Sequence, residues 1–140
     1  MRARPRPPWL PVTATAAPST RPADEIPSDT RRLVLTRAGG RCESCAGDLD
    51  ISRYSLHHRR PKGMGGSRAA DLHSPANLLV LCGRGNADGC HGHVHGHPIA
   101  ARDAGMLVRR AADPARVPVL IHGARLVLLA IDGTYAEEAR

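Results

Sequence analysis

The alternation of apolar and polar residues in ISRYSLHHRRP, around Ile51, Tyr54 and Leu56, predicts a strand that runs into the adjacent pair His57 and His58. The apolar run LLVLC after Asn77 predicts a second strand, with Pro75 starting its approach. Upstream, Ser28 or Asp29 can cap a short helix through about Ala38. Leu33, Val34 and Arg37 are spaced there for one buried and one basic face, and Gly39-Gly40 end it. CHGHVHGH, beginning at Asp88-Gly89 or Cys90, predicts another helix, kept short because Gly92 and Gly96 are poor helix formers. Pro98 opens a further segment, IAARDAG, that Gly105 ends. The remainder, MLVRRAADPARVPVLIHGARLVLLAIDGTY, offers apolar runs divided by Asp-Pro, His122-Gly123 and Asp132-Gly133, the signature of two or three strands. Tyr135 and the charged end AEEAR read as a terminus.

These elements imply an α+β chain in three parts. Residues 1–27 hold seven of the twelve prolines among scattered arginines and read as a disordered tail. Residues 28–104 form the core, with a short N-terminal helix, and residues 105–140 form a C-terminal β extension packed on it.

Composition narrows the picture. There is no Phe, one Trp and two Tyr, so Leu, Val, Ile and Ala must build a modest core, and such a core invites a metal staple. A net charge of +7 and a pI near 10.2 suit a polyanionic partner, nucleic acid before membrane. No run approaches the roughly 18 apolar residues of a membrane span. Pro8, Pro11 and Pro18 break the apolar stretch that a signal peptide would need. The expected compartment is cytoplasmic, where paired cysteines serve as zinc ligands rather than disulfides.

The chemistry concentrates between Ser55 and His97, which hold seven of the eight histidines. Cys42-x-x-Cys45 followed by Gly47 has zinc-knuckle spacing, and its expected partners are Cys82 and Cys90, around one structural Zn²⁺. Seven residues, GRGNADG, separate the second pair and suit an enlarged loop. His91 and His95, four apart, share one helical face within reach of one ion, while His93 is rotated away. His57 and His58 point to opposite faces of a strand, so both cannot be simple ligands of one ion. The Gly-rich loop after them carries Arg59, Arg60, Lys62 and Arg68, expected to contact phosphates. His73 in that loop has no partner at ligand spacing and reads as a surface residue. His122, at a turn, reads as structural.

The order of these pieces resembles the HNH endonuclease family: the His57-His58 pair, Asn77 ahead of LLVLC, then His91 and His95, with cysteine pairs on either side. The resemblance spans roughly Gly40 to Pro98 and is nearest in character to the small HNH nucleases of actinobacteriophages. It departs where the family's second cysteine pair is more commonly also Cys-x-x-Cys. It implies a ββα-metal core, or His-Me finger, clamped by the four-cysteine zinc knuckle. It further implies that His57, His91 and His95 hold one catalytic divalent cation (Mg, Mn, Ni, Co or Zn). His58 would be the general base, and Asn77 would fix its orientation. The implied reaction is hydrolysis of DNA phosphodiester bonds to 5′-phosphate and 3′-hydroxyl ends, in phage DNA processing or packaging. The implied partners are DNA, its phosphates met by Arg59, Arg60, Lys62 and Arg68, and a phage terminase large subunit, in the host cytoplasm. Two other classes fit part of the pattern: a non-catalytic zinc-stabilised DNA-binding module, and an assembly factor that contacts the terminase.

Overall fold

The structure, a computed structural model, describes residues 25–61 and 70–137. Most of the proline-rich tail, together with Lys62 and Arg68, lies outside the described residues. Helix α1 (Ser28–Ala38) is followed by strands β1 (Tyr54–His58) and β2 (Leu78–Cys82) and helices α2 (Gly89–Gly96) and α3 (Pro98–Asp103). The described chain then finishes with β3 (Val119–Ile121), β4 (Arg125–Leu129) and β5 (Tyr135–Glu137).

Helix α1 ends at Gly39, whose φ of 61° lets its N–H reach the carbonyls of Leu35 and Thr36. Its start differs from expectation: Pro27 occupies the cap, no side chain bonds the first turn, and Ser28 is already helical. The buried face is Val34 and Ala38, while Leu33 stays 42% exposed. Arg37 lies on no basic face, because its side chain turns inward and is 1% exposed.

β1 and β2 pair antiparallel, His57 opposite Leu79 and His58 opposite Leu78. The strand begins later than the alternation predicts. Asp50 Oδ1 accepts from Ser52 N at 2.9 Å and from Ser52 Oγ at 2.7 Å, and this turn leaves Ile51 90% exposed ahead of Tyr54.

β2 is the centre of the molecule. Its side chains alternate between two faces, and both are covered: Leu78 and Val80 pack with Val34 and Ala38 of α1. Leu79 and Leu81 pack with Val119, Ile121, Val127 and Leu129 of the antiparallel β3-β4-β5 sheet. The C-terminal sheet therefore completes the hydrophobic core over one face of the hairpin.

A buried polar network ties these layers. Glu43 is fully buried and accepts from Arg37 Nε at 2.7 Å, Val80 N at 2.7 Å and Tyr135 Oη at 2.6 Å. Arg37 also donates to the carbonyls of Pro75 and Leu78, at 2.9 Å and 2.6 Å. Tyr135 is thus no loose terminus, and burial followed by the Glu43 charge pushes its phenol well above the usual range. Among the described residues no helix is long and apolar enough to cross a membrane.

Candidate metal centre

Two groups of side chains converge in ways that can hold a metal ion: Cys42, Cys45, Cys82 and Cys90, and His57, His91 and His95. Within each group the ligand atoms lie within 4.8 Å of one another.

The first two thiols sit on the tight turn after α1, closed by Cys42 N to Gly47 O at 2.8 Å and Ala46 N to Cys42 O at 2.9 Å. Cys82 ends β2 and Cys90 lies in the first turn of α2. The intervening loop is pinched at its base by two glycines. A Cβ on Gly83 would stand 2.0 Å from the Asp88 carbonyl oxygen, and one on Gly89 would stand 2.5 Å from that of Cys82. Both have positive φ, 99° and 58°, which glycine adopts without strain. An eight-position separation thereby brings its two thiols together.

The donor set fits zinc. A tetrahedral site with Zn–S bonds of about 2.3 Å sets its sulfurs about 3.8 Å apart, within reach of the observed cluster. Backbone N–H groups of Cys82, Cys90 and Gly47 point at the sulfurs of Cys42, Cys82 and Cys45, each at 3.4 Å. No two of the four are joined in a disulfide. Burial raises the thiols of Cys42 and Cys90 above the usual range. At Cys45 burial also acts upward, but hydrogen bonds from Gly47 and the neighbouring cysteines outweigh it and lower the thiol.

The histidines come from β1 and α2. His57 Nε2 lies 2.8 Å from the Met106 carbonyl; a carbonyl only accepts, so Nε2 carries the proton and Nδ1 is left as the ligand atom. His91 Nδ1 likewise donates to Gly85 O at 2.8 Å, which leaves its Nε2 facing His95 Nε2 at 3.1 Å. Two imidazoles on a tetrahedral ion with bonds of about 2.05 Å would stand about 3.3 Å apart, so the pair is already near ligand spacing. Hydrogen bonds from the far ring nitrogen to carbonyls are the usual way a ligating histidine is held. Burial, reinforced by the neighbouring histidines and partly opposed by the Met106 hydrogen bond, lowers His57 to about 4. Burial also lowers His91. Both favour the neutral imidazole that a metal needs.

His58 faces the other side of β1 yet lines the same cavity of about 410 Å³ as His57, His91 and His95. It can do so because β1 has a neighbour on one edge only and ends at His58. His58 Nε2 lies 3.1 Å from His73 Nδ1. His73 is therefore not the partnerless surface residue that its spacing suggests; the loop path, invisible in the sequence, returns it to the site.

Asn77 is fully buried and joins three segments. Its Oδ1 accepts from Arg60 N at 2.8 Å, its Nδ2 donates to Leu72 O at 2.9 Å, and its carbonyl accepts from Arg59 N at 2.8 Å. It thus fixes both the exit of the His57-His58 strand and the segment next to His73.

Arg59 and Arg60 do not lie where a phosphate could use them. The Arg59 guanidinium is buried and donates to the carbonyls of Gly105, Ala76, Pro114 and Val117, at 2.7 to 2.9 Å. Burial, with the nearby Arg37 charge, lowers it to about 10. Arg60 donates to Ala112 O at 3.1 Å and pairs with Asp71. Both arginines bind the C-terminal segment to the hairpin. The orphaned carbonyls of non-repeating chain claim their donors before any ligand can.

Comparison with known proteins gives no further identification: no family model, no curated protein and no solved structure matches the chain.

Proposed function

We propose that the protein is a metal-dependent HNH endonuclease that hydrolyses DNA phosphodiester bonds, with a ββα-metal core formed by β1, β2 and α2. The observation that carries this reading is the junction of His57, His91 and His95 as one ligand set with His58 on the same cavity but off that set. A metal store would need the three ligands, and a zinc-stabilised binding module would need the four cysteines. Neither accounts for a fourth histidine held beside the ligands by a hydrogen-bonded loop.

In this reading Cys42, Cys45, Cys82 and Cys90 hold the structural zinc. Because Cys90 and His91 are adjacent, fixing the thiolate also fixes the helix that presents His91 and His95. His57, His91 and His95 would hold a divalent cation, which would supply Lewis-acid stabilisation of negative charge on the phosphate. His58 accepts the proton of the attacking water while the water oxygen bonds to phosphorus. The P–O3′ bond then breaks, leaving a 5′-phosphate, and the released 3′ oxygen takes a proton from solvent water to become a 3′-hydroxyl. His73 and Asn77 hold His58 and its loop in place.

The test is nicking of supercoiled plasmid by the zinc-loaded protein across a series of Mg, Mn, Ni, Co and Zn. Cutting that needs added metal and is lost in His58→Ala supports the reading. A parent protein that binds DNA but cuts with none of the metals points instead to a non-catalytic DNA-binding module.

A further inference from the structure

The cavity that holds the histidines shares walls with neighbouring hollows. An open groove of about 710 Å³ shares Leu56 and His91 with it and carries Arg31 and Arg84. A hollow of about 280 Å³ shares Pro61 and Leu107 with it and carries Arg102, Arg109 and Arg110. Arg102 and Arg109 also line an adjoining cavity of about 410 Å³, to which Asp103 adds a carboxylate.

Among the described arginines two sets differ sharply. Arg37, Arg59 and Arg60 are consumed by carbonyls and carboxylates inside the fold. Arg31, Arg84, Arg102, Arg109 and Arg110 are exposed, and among the described residues none of their guanidinium groups is in an ion pair. The five line hollows that adjoin the histidine cavity through different walls, Leu56 and His91 for one group and Pro61 and Leu107 for the other, with Asp103 the acidic side chain among the linings. A positive charge on each side of a reaction centre complements a polyanion that passes through it, because each phosphate beyond the reacting one then meets a cation.

We propose that one strand of DNA crosses the histidine cavity with its backbone held by Arg31 and Arg84 on one side and by Arg102, Arg109 and Arg110 on the other. This rests on the nuclease reading of the histidines and assigns the phosphate contacts that Arg59 and Arg60 cannot make. The contacts are to backbone, so affinity is sequence-tolerant and falls steeply with salt.

The experiment measures binding of a short fluorescent DNA duplex by anisotropy over a salt series, in a His58→Ala background so that the probe stays intact. Three variants are compared: Arg31→Ala with Arg84→Ala, Arg102→Ala with Arg109→Ala and Arg110→Ala, and a control, Arg116→Ala with Arg125→Ala, whose residues line none of these hollows. Each flanking variant should weaken binding about ten-fold or more and reduce the salt slope by about 0.9 for each phosphate that is no longer neutralised, with zinc content and melting unchanged. The control should stay close to the parent. Parental affinity in both flanking variants, or an equal weakening in the control, overturns the proposed path. Cutting by the otherwise unaltered protein is scored separately. If it cuts while the flanking arginines prove irrelevant, the path is wrong and the nuclease reading stands. If it never cuts while they govern affinity, the path stands as a binding surface and the nuclease reading falls.

Discussion

The His58 and His73 rings share a hydrogen bond, Nε2 to Nδ1 at 3.1 Å, although fifteen positions separate them in the chain. One nitrogen must donate and the other accept, so the bond selects ring orientation and tautomer together. Under the proposed mechanism His58→Ala should lower the cleavage rate by about 10²- to 10⁴-fold while metal stays bound. His73→Ala removes this hydrogen bond, worth about 0.5 to 1.5 kcal/mol, and should lower kcat by roughly two- to ten-fold with little change in KM. Steady-state cleavage and metal content of the two variants check this. A parental kcat in His73→Ala would remove the positioning role.

His57 should make the metal-free protein sensitive to mild acid. Its folded pKa of about 4 lies below the usual 6.5, so between those values the unfolded chain binds a proton that the folded chain refuses. Stability from this group is full above about 6.5 and is lost as the pH falls toward 4, by roughly 3 kcal/mol in all. Denaturant titrations of protein without metal at the histidines, against His57→Leu, should show a steeper acid loss in the parent. Superimposable profiles would count against it.

Zinc removal should loosen the domain, because the four thiols join the turn after α1 to β2 and α2. Cys45→Ala is expected to lose the zinc equivalent and melt well below the parent, since structural zinc contributes folding free energy directly. Metal analysis beside calorimetry decides the matter: a full zinc equivalent with unchanged melting would exclude a structural role for that cysteine.

Breaking the buried Arg37–Glu43 pair should be a costly polar change. Glu43→Ala strands a buried guanidinium and frees Val80 N and the Tyr135 hydroxyl, for an expected loss of about 3 to 5 kcal/mol. Tyr135→Phe leaves the ion pair in place and should cost about 1 kcal/mol. Urea denaturation of both variants measures the difference, and similar losses would show that the ion pair is not what holds the layers.

Much of the site is legible in the sequence because its residues carry their chemistry in their spacing. Cys42 and Cys45, or His91 and His95, come together through local geometry that a turn or a helix guarantees. Even the opposition of His57 and His58 follows from the strand period. What the sequence hides depends on partners without a signature of their own. Arg59 is satisfied by main-chain carbonyls that lie 17 to 58 positions away, and a carbonyl looks the same under every residue. An arginine beside a candidate metal site therefore suggests phosphate contact until its acceptors are known. The same holds for Arg37, whose inward turn depends on Glu43 being carried beneath α1 by the cysteine turn, and for His73, whose bond depends on where its loop returns.

The pinch between Gly83 and Gly89 makes the segment between Cys82 and Cys90 a side branch: the chain leaves the body and rejoins it at nearly the same point. Three of its members are committed: the Gly85 carbonyl holds His91, Asp88 pairs with Arg53, and Ala87 packs against Gly92 so closely that a Cβ there would stand 2.5 Å from it. Asn86, exposed among them in the short 3₁₀ turn Gly85–Ala87, is the member whose side chain is least engaged and so the place for length to vary. Doubling a flexible loop costs only about 0.6 kcal/mol in closure entropy. Extra residues spliced at Asn86, such as a reporter peptide or a recognition segment, would therefore ride next to the histidine cavity without moving either cysteine.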